Sequence, residues 1–156
     1  MAIKHSIISL LLALATTVLV SCGGANESTP PPTYSSEQIE EIEQFATPVK
    51  QARKRLTELE SLLKDKRWSD ASSLIHGPLG GLRREMSYVT RNLLPQDQEQ
   101  AQDYAKELFQ DLEELDAAID NESYSQALQS YDRALSDFDN YLGLLPEPES
   151  EPSKTT

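Results

Sequence analysis

The sequence is poor in the residues that most enzymes and metalloproteins rely on. One cysteine, Cys22, excludes any internal disulfide. Two histidines, His5 and His76, leave no cluster for a structural or catalytic metal, and no serine–histidine–acid constellation is evident. A haem would need axial ligands. His76 and Met86 are the one His/Met pair beyond the leader, and ten residues apart on a single bent helix they cannot face each other across one ring. Phosphate-binding and nucleic-acid functions are disfavoured by a formal net charge of −12. No stretch after residue 30 alternates in the way a half-buried strand requires.

The one long apolar run is Ile7 to Val20, interrupted by Ser9, Thr16 and Thr17 and preceded by Lys4 and His5. It is shorter than the roughly 20 residues that span a bilayer and reads as the core of a signal peptide. It ends in Leu19-Val20-Ser21-Cys22, the pattern of a bacterial lipobox, in which the Cys22 thiol carries the lipid. Lipidation also disposes of a lone thiol in an exported protein. The expected organisation is a cleaved lipoprotein signal peptide over 1–21 and a lipidated flexible tether over 22–35, rich in Gly, Ser, Thr and Pro. A folded domain over 36–145 and a disordered acidic tail over 146–156 follow.

Between these ends apolar residues recur every three or four positions, the helical period. Ile39, Ile42, Ala46, Val49, Ala52, Leu56, Leu59 and Leu63 mark the first segment, with Ser35 and Gln38 placed to form a capping box. Pro48 either kinks this helix or opens a second one capped by Thr47. A second segment with Ser69 as its cap carries Ala71 to Leu93 and is bent at Gly77-Pro78. A third runs from about Gln96 to Ile119 and a fourth from about Ser123 to Leu144. Trp68-Ser-Asp-Ala and Tyr124-Ser-Gln-Ala open the second and fourth segments alike. The expected fold is all-α, a single up-down-up-down four-helix bundle preceded by a flexible tether.

The stretch Trp68-Ser69-Asp70 followed by Ile75-His76-Gly77-Pro78-Leu79-Gly80-Gly81-Leu82-Arg83-Arg84 resembles the W-x8-GPLG-x-LR signature of the PsbQ family. The lipobox and single helical domain are similar to its cyanobacterial lipoprotein branch, often called CyanoQ. The resemblance implies a non-catalytic extrinsic subunit on the lumenal side of photosystem II, stabilising the oxygen-evolving complex and its calcium and chloride or aiding assembly. It implies photosystem II core and other extrinsic lumenal subunits as partners, and a lipid-anchored place on the lumenal side of the thylakoid membrane. Gly81 departs from the family pattern, where a glutamate is common.

As residues, Gly77, Gly80 and Gly81 beside Pro78 suggest a close backbone approach or a deliberate bend, since each disfavours helix. His76, Gly77, Pro78, Leu79, Gly80, Arg83 and Arg84 are docking candidates on the resemblance. A kinked core helix with solvated arginines reads the same residues equally simply. Residues 22–94 are balanced at ten basic and ten acidic, whereas 95–156 hold three basic and sixteen acidic. Lys50, Arg53 and Lys54 join the docking candidates because a basic cluster steers acidic surfaces, although it also suits a solvated face. No cofactor is expected to bind tightly. A divalent cation could be held loosely by Asp111 and Glu114 or by Glu113, Asp116 and Asp120. The alternative to the photosystem reading is a periplasmic lipoprotein adaptor or chaperone on the same helical frame.

Overall fold

Ser35 opens the first helix by accepting a hydrogen bond from the Gln38 backbone N–H (3.2 Å), while the Gln38 side chain accepts one from the Ser35 N–H (3.0 Å). The computed structural model describes residues 32–147. The expected signal peptide, Cys22, and most of the expected tether and tail lie outside the described residues. Five helices follow the cap: α1 (Ser36–Lys64), α2 (Trp68–His76), α3 (Leu82–Asn92), α4 (Pro95–Asp120) and α5 (Tyr124–Gly143). The described residues contain no strand, and no helix among them is long and apolar enough to cross a membrane.

α1 runs unbroken through Pro48. Thr47 does not cap a second helix there; its hydroxyl bonds back to the Glu43 carbonyl (3.0 Å). Proline supplies no N–H to the preceding turn, and the packed face on either side keeps the helix in register. That face is Ile42, Ala46, Val49, Leu56, Leu59 and Leu63, all essentially inaccessible to water. Each buried leucine contributes about 1.5–3 kcal/mol.

The ends of α1 and α4 are built alike. After α1, Lys66 takes a left-handed backbone (φ 55°), its N–H bonds the Leu63 carbonyl (3.0 Å), and Arg67 N–H bonds the Leu62 carbonyl (2.8 Å). After α4, Glu122 does the same (φ 53°), with Glu122 to Ile119 (2.9 Å) and Ser123 to Ala118 (2.8 Å). This is the Schellman arrangement, which normally uses glycine at the left-handed position. The likeness of Trp68-Ser-Asp-Ala to Tyr124-Ser-Gln-Ala is therefore a likeness of two turns. It also corrects the start of α2: Ser69 is already helical and Arg67 is the cap residue, without a side-chain cap bond.

Where a single bent helix was expected, the chain makes two, α2 and α3, joined by the turn Gly77 to Gly81. α4 packs on α5 along most of its length, α1 packs on α3, α5 and α2, and α4 also meets α2 and α3. Alanines 101, 127 and 134 at these seams are fully buried, which lets the backbones come close. Tyr34, at the end of the stretch expected to be tether, packs against the core. Its hydroxyl donates to Asp97 (2.6 Å) and accepts from the Leu94 N–H (3.1 Å). Burial, together with that aspartate, pushes the phenol up to about 12.

Candidate functional site at the α2–α3 corner

The corner forms because two glycines allow the backbone to cross itself. A Cβ on Gly80 would stand 2.7 Å from the His76 carbonyl oxygen, and one on Gly77 would stand 2.8 Å from the Ser73 carbonyl oxygen. Neither fits without backbone movement. Gly81 differs: a Cβ there meets only the end of the Arg84 side chain at 3.8 Å. Gly77 and Gly80 thus answer to geometry, and Gly81 does not. The turn is closed by Gly77 N–H to the Ser73 carbonyl (3.0 Å) and Leu79 N–H to the Leu74 carbonyl (3.3 Å). Leu79 and Leu82 are driven inward and buried, so the Pro78-Leu79 step pins the corner to the core.

The outer side of the corner faces α4 across a shallow groove of about 280 Å³, walled by Ile75, Leu79, Phe109 and Leu112. Its rim is charged. His76 Nε2 lies 3.1 and 3.0 Å from the two carboxylate oxygens of Asp116. The Arg83 guanidinium stacks 4.1 Å from the centroid of Phe109 and reaches Glu113 at 3.4 Å. Arg84 turns away and pairs with its neighbour Glu85 (2.9 Å). Such exposed pairs contribute little to stability and exchange partners readily, so Arg83 can be drawn toward an incoming carboxylate.

The other basic candidates are not brought to this corner. Arg53 is engaged within the chain through two parallel bonds to Asp139 of α5 (2.6 and 2.8 Å). Lys50 pairs with Glu43 (2.5 Å). Lys54 is exposed. Four of the five acidic residues considered for a cation are engaged by other side chains in a way their spacing did not reveal, while Asp120 is exposed. Asp111, only 8% exposed, accepts from Arg133 Nε (2.7 Å), and the same guanidinium reaches Glu114 and Ser130. Glu113 and Asp116 face Arg83 and His76. Among the described residues no group of three or more His, Cys, Asp or Glu is arranged to hold a metal ion.

One titrating group was also missed. Asp137 on α5 is pushed up to about 6, chiefly by burial and then by the neighbouring Asp111 carboxylate, with Glu107 adding to it and Arg133 opposing. Its signal in sequence was absent, because its neighbours come from another helix.

The sequence matches PsbQ, Oxygen evolving enhancer protein 3, over residues 4–146. It is 45% identical over 144 residues to CyanoQ of Synechocystis sp. (strain ATCC 27184 / PCC 6803 / Kazusa), covering 92% of this chain and 96% of that protein. The glycine-locked corner, the helical frame around it and these two matches lead to one assignment: the chain belongs to the PsbQ family.

Proposed function

We infer that this chain is a non-catalytic extrinsic subunit on the lumenal side of photosystem II, stabilising the oxygen-evolving complex or aiding its assembly. The observation that carries the reading is the match to the oxygen evolving enhancer family across nearly the whole chain, with 45% identity to CyanoQ. In this reading α2 and α3 act as one broken rod, so the five helices form an up-down-up-down four-helix bundle. The segment that follows Cys22 tethers that bundle to a lipid on Cys22, which holds it at the thylakoid membrane. The chemistry it supplies is shape and charge rather than bond making. Arg83, Arg84 and the corner from His76 to Gly80 meet the core or another extrinsic subunit, and calcium and chloride retention follows from the closed assembly.

The test is affinity purification of photosystem II through a tagged core subunit from the native organism, followed by mass spectrometry. Co-purification that is lost in a high-salt wash supports an electrostatically seated extrinsic subunit. Absence from every photosystem fraction, with the protein abundant in membranes, overturns it. Within that assay, Arg83→Glu with Arg84→Glu is expected to weaken retention while leaving helicity intact; unchanged retention removes the corner from the contact.

A further inference from the structure

Among the described residues the large hydrophobic side chains that stand exposed are Phe45, Tyr88 and Tyr124. Tyr124 lies at the turn after α4, beneath Lys66 at 5.9 Å. The other two meet across the seam between α1 and α3. The rings of Phe45 (36% exposed) and Tyr88 (41% exposed) stand 6.1 Å apart, tilted by 30°. Arg91, one turn further along α3, lays its guanidinium 4.9 Å from the Tyr88 centroid. Its Nε donates to the Ser87 carbonyl at 3.1 Å, which holds the plane in place.

Arg91 differs from the other stacked arginine. Arg83 over Phe109 also reaches a carboxylate, as Arg53, Arg84 and Arg133 do. Among the described residues no carboxylate lies within ion-pair distance of Arg91. Its charge is oriented by a ring and left unmatched. α3 as a whole carries Arg83, Arg84 and Arg91 against Glu85, in a chain of net charge −12. Two aromatic rings and an arginine, held ready at an exposed seam, are the composition that dominates binding energy at protein interfaces. A ring-held guanidinium loses little freedom when a carboxylate arrives.

We propose that Phe45, Tyr88 and Arg91 form a docking anchor for an acidic protein surface, one that offers a carboxylate to Arg91 and an apolar side chain to the two rings. Charge complementarity selects this occupant. The positive helix lies in a negative chain, so an acidic surface is drawn to α3 and kept off the acidic α4 and α5. A second copy of the chain would bring its own −12. An anionic lipid surface calls for several lysines and arginines free together, whereas Arg83 and Arg84 are paired with Glu113 and Glu85 and Arg91 stands on a single ring, Tyr88. The anchor rests on the reading of the chain as an extrinsic subunit. It adds a contact on the α1–α3 seam to the one at the α2–α3 corner.

The experiment uses the full chain and photosystem II membranes depleted of this chain alone, with the other extrinsic subunits retained, and binding is followed by co-sedimentation across ionic strength. Wild type should bind, and Tyr88→Ala and Arg91→Glu should each bind about tenfold more weakly or worse. Arg91→Glu should also flatten the salt dependence. Thermal melts of both variants should match wild type, because the altered side chains are exposed. Wild-type binding with undiminished binding of both variants overturns the anchor and leaves the photosystem reading standing. Failure of wild type to bind overturns both. Sedimentation velocity showing a wild-type dimer that Arg91→Glu breaks would make the occupant a second copy, and flotation on phosphatidylglycerol vesicles lost in Arg91→Glu would make it lipid. Either result overturns the proposal.

Discussion

Tyr141 of α5 donates its phenolic hydrogen to the backbone carbonyl of Met86 in α3 across 2.8 Å, at a point with no exposure to water. The Thr90 hydroxyl lies 3.0 Å from the Tyr141 phenolic oxygen, so that one buried atom joins two helices whose bonded residues, Met86 and Tyr141, are 55 positions apart in sequence. Burial pushes this phenol up to about 12. Removing the hydroxyl by Tyr141→Phe keeps the ring and strands Thr90. The expected loss is about 1–2 kcal/mol of unfolding free energy, read from urea denaturation.

The two left-handed turns give a prediction of opposite sign. Lys66 and Glu122 occupy backbone conformations that cost a side-chain-bearing residue about 1–2 kcal/mol, partly offset by the extra freedom glycine would have in the unfolded chain. Lys66→Gly and Glu122→Gly should each stabilise by up to about 1 kcal/mol. Lys66→Ala, which keeps the Cβ, should not. Thermal melts of the four proteins, wild type included, check this.

At the corner the glycines separate. Gly80→Ala pushes a methyl into the His76 carbonyl and should cost about 1–3 kcal/mol, with loss of helicity around α2. Gly81→Glu meets no backbone, and its melting temperature should fall within the range of ordinary surface changes. A large loss in Gly81→Glu would show that the turn is tighter than its geometry implies.

Asp137 makes stability depend on pH. Its folded value of about 6 lies above the ordinary 3.8, so the folded protein holds a proton that the unfolded chain has already released. That contribution is complete below the unfolded value and is lost as pH rises through the folded one. Urea midpoints should therefore fall between these two values, and Asp137→Asn should flatten that segment of the curve and raise stability at neutral pH. Burial is the largest cause, followed by Asp111 and Glu107 of α4, with Arg133 of α5 opposing them.

Much of the helical frame was readable because it is local. The stripe from Ile42 through Val49 and Leu56 has the period of one helix face, and Ser35 with Gln38 announces its cap seven residues ahead of Ile42, the first core position. Pro48 was ambiguous from sequence, since proline is compatible with both an interior and a first turn, and only packing on both sides decides. The Schellman turns were hidden because Lys66 and Glu122 are not glycine. The glycines that do appear at the corner were legible as a group. Telling Gly80 from Gly81 needed the position of one carbonyl.

Contacts between helices were the part that spacing does not encode. Arg133 closes on Asp111 and Glu114 across 22 and 19 residues, and Arg53 on Asp139 across 86. A row of carboxylates on α4 looks solvated until α5 is laid against it. Phe45 and Tyr88 are each unremarkable on their own helices and become a pair only when α1 and α3 meet. The docking roles proposed for His76, Arg83 and Arg84 rest on resemblance rather than periodicity.

The Tyr34 clasp has a mechanical meaning. Tyr34 stands just ahead of α1, and its hydroxyl is bonded to Asp97 and to the Leu94 N–H at the head of α4, so a pull from the N-terminal side meets this clasp first. Through Asp97 and Leu94 that load reaches α4, whose packing on α5 is the most extensive helix pair among the described residues, before it can unwind the first turn of α1. A pull from the N-terminal side is thus spread by shear along α4 and α5 instead of peeling a single exposed end.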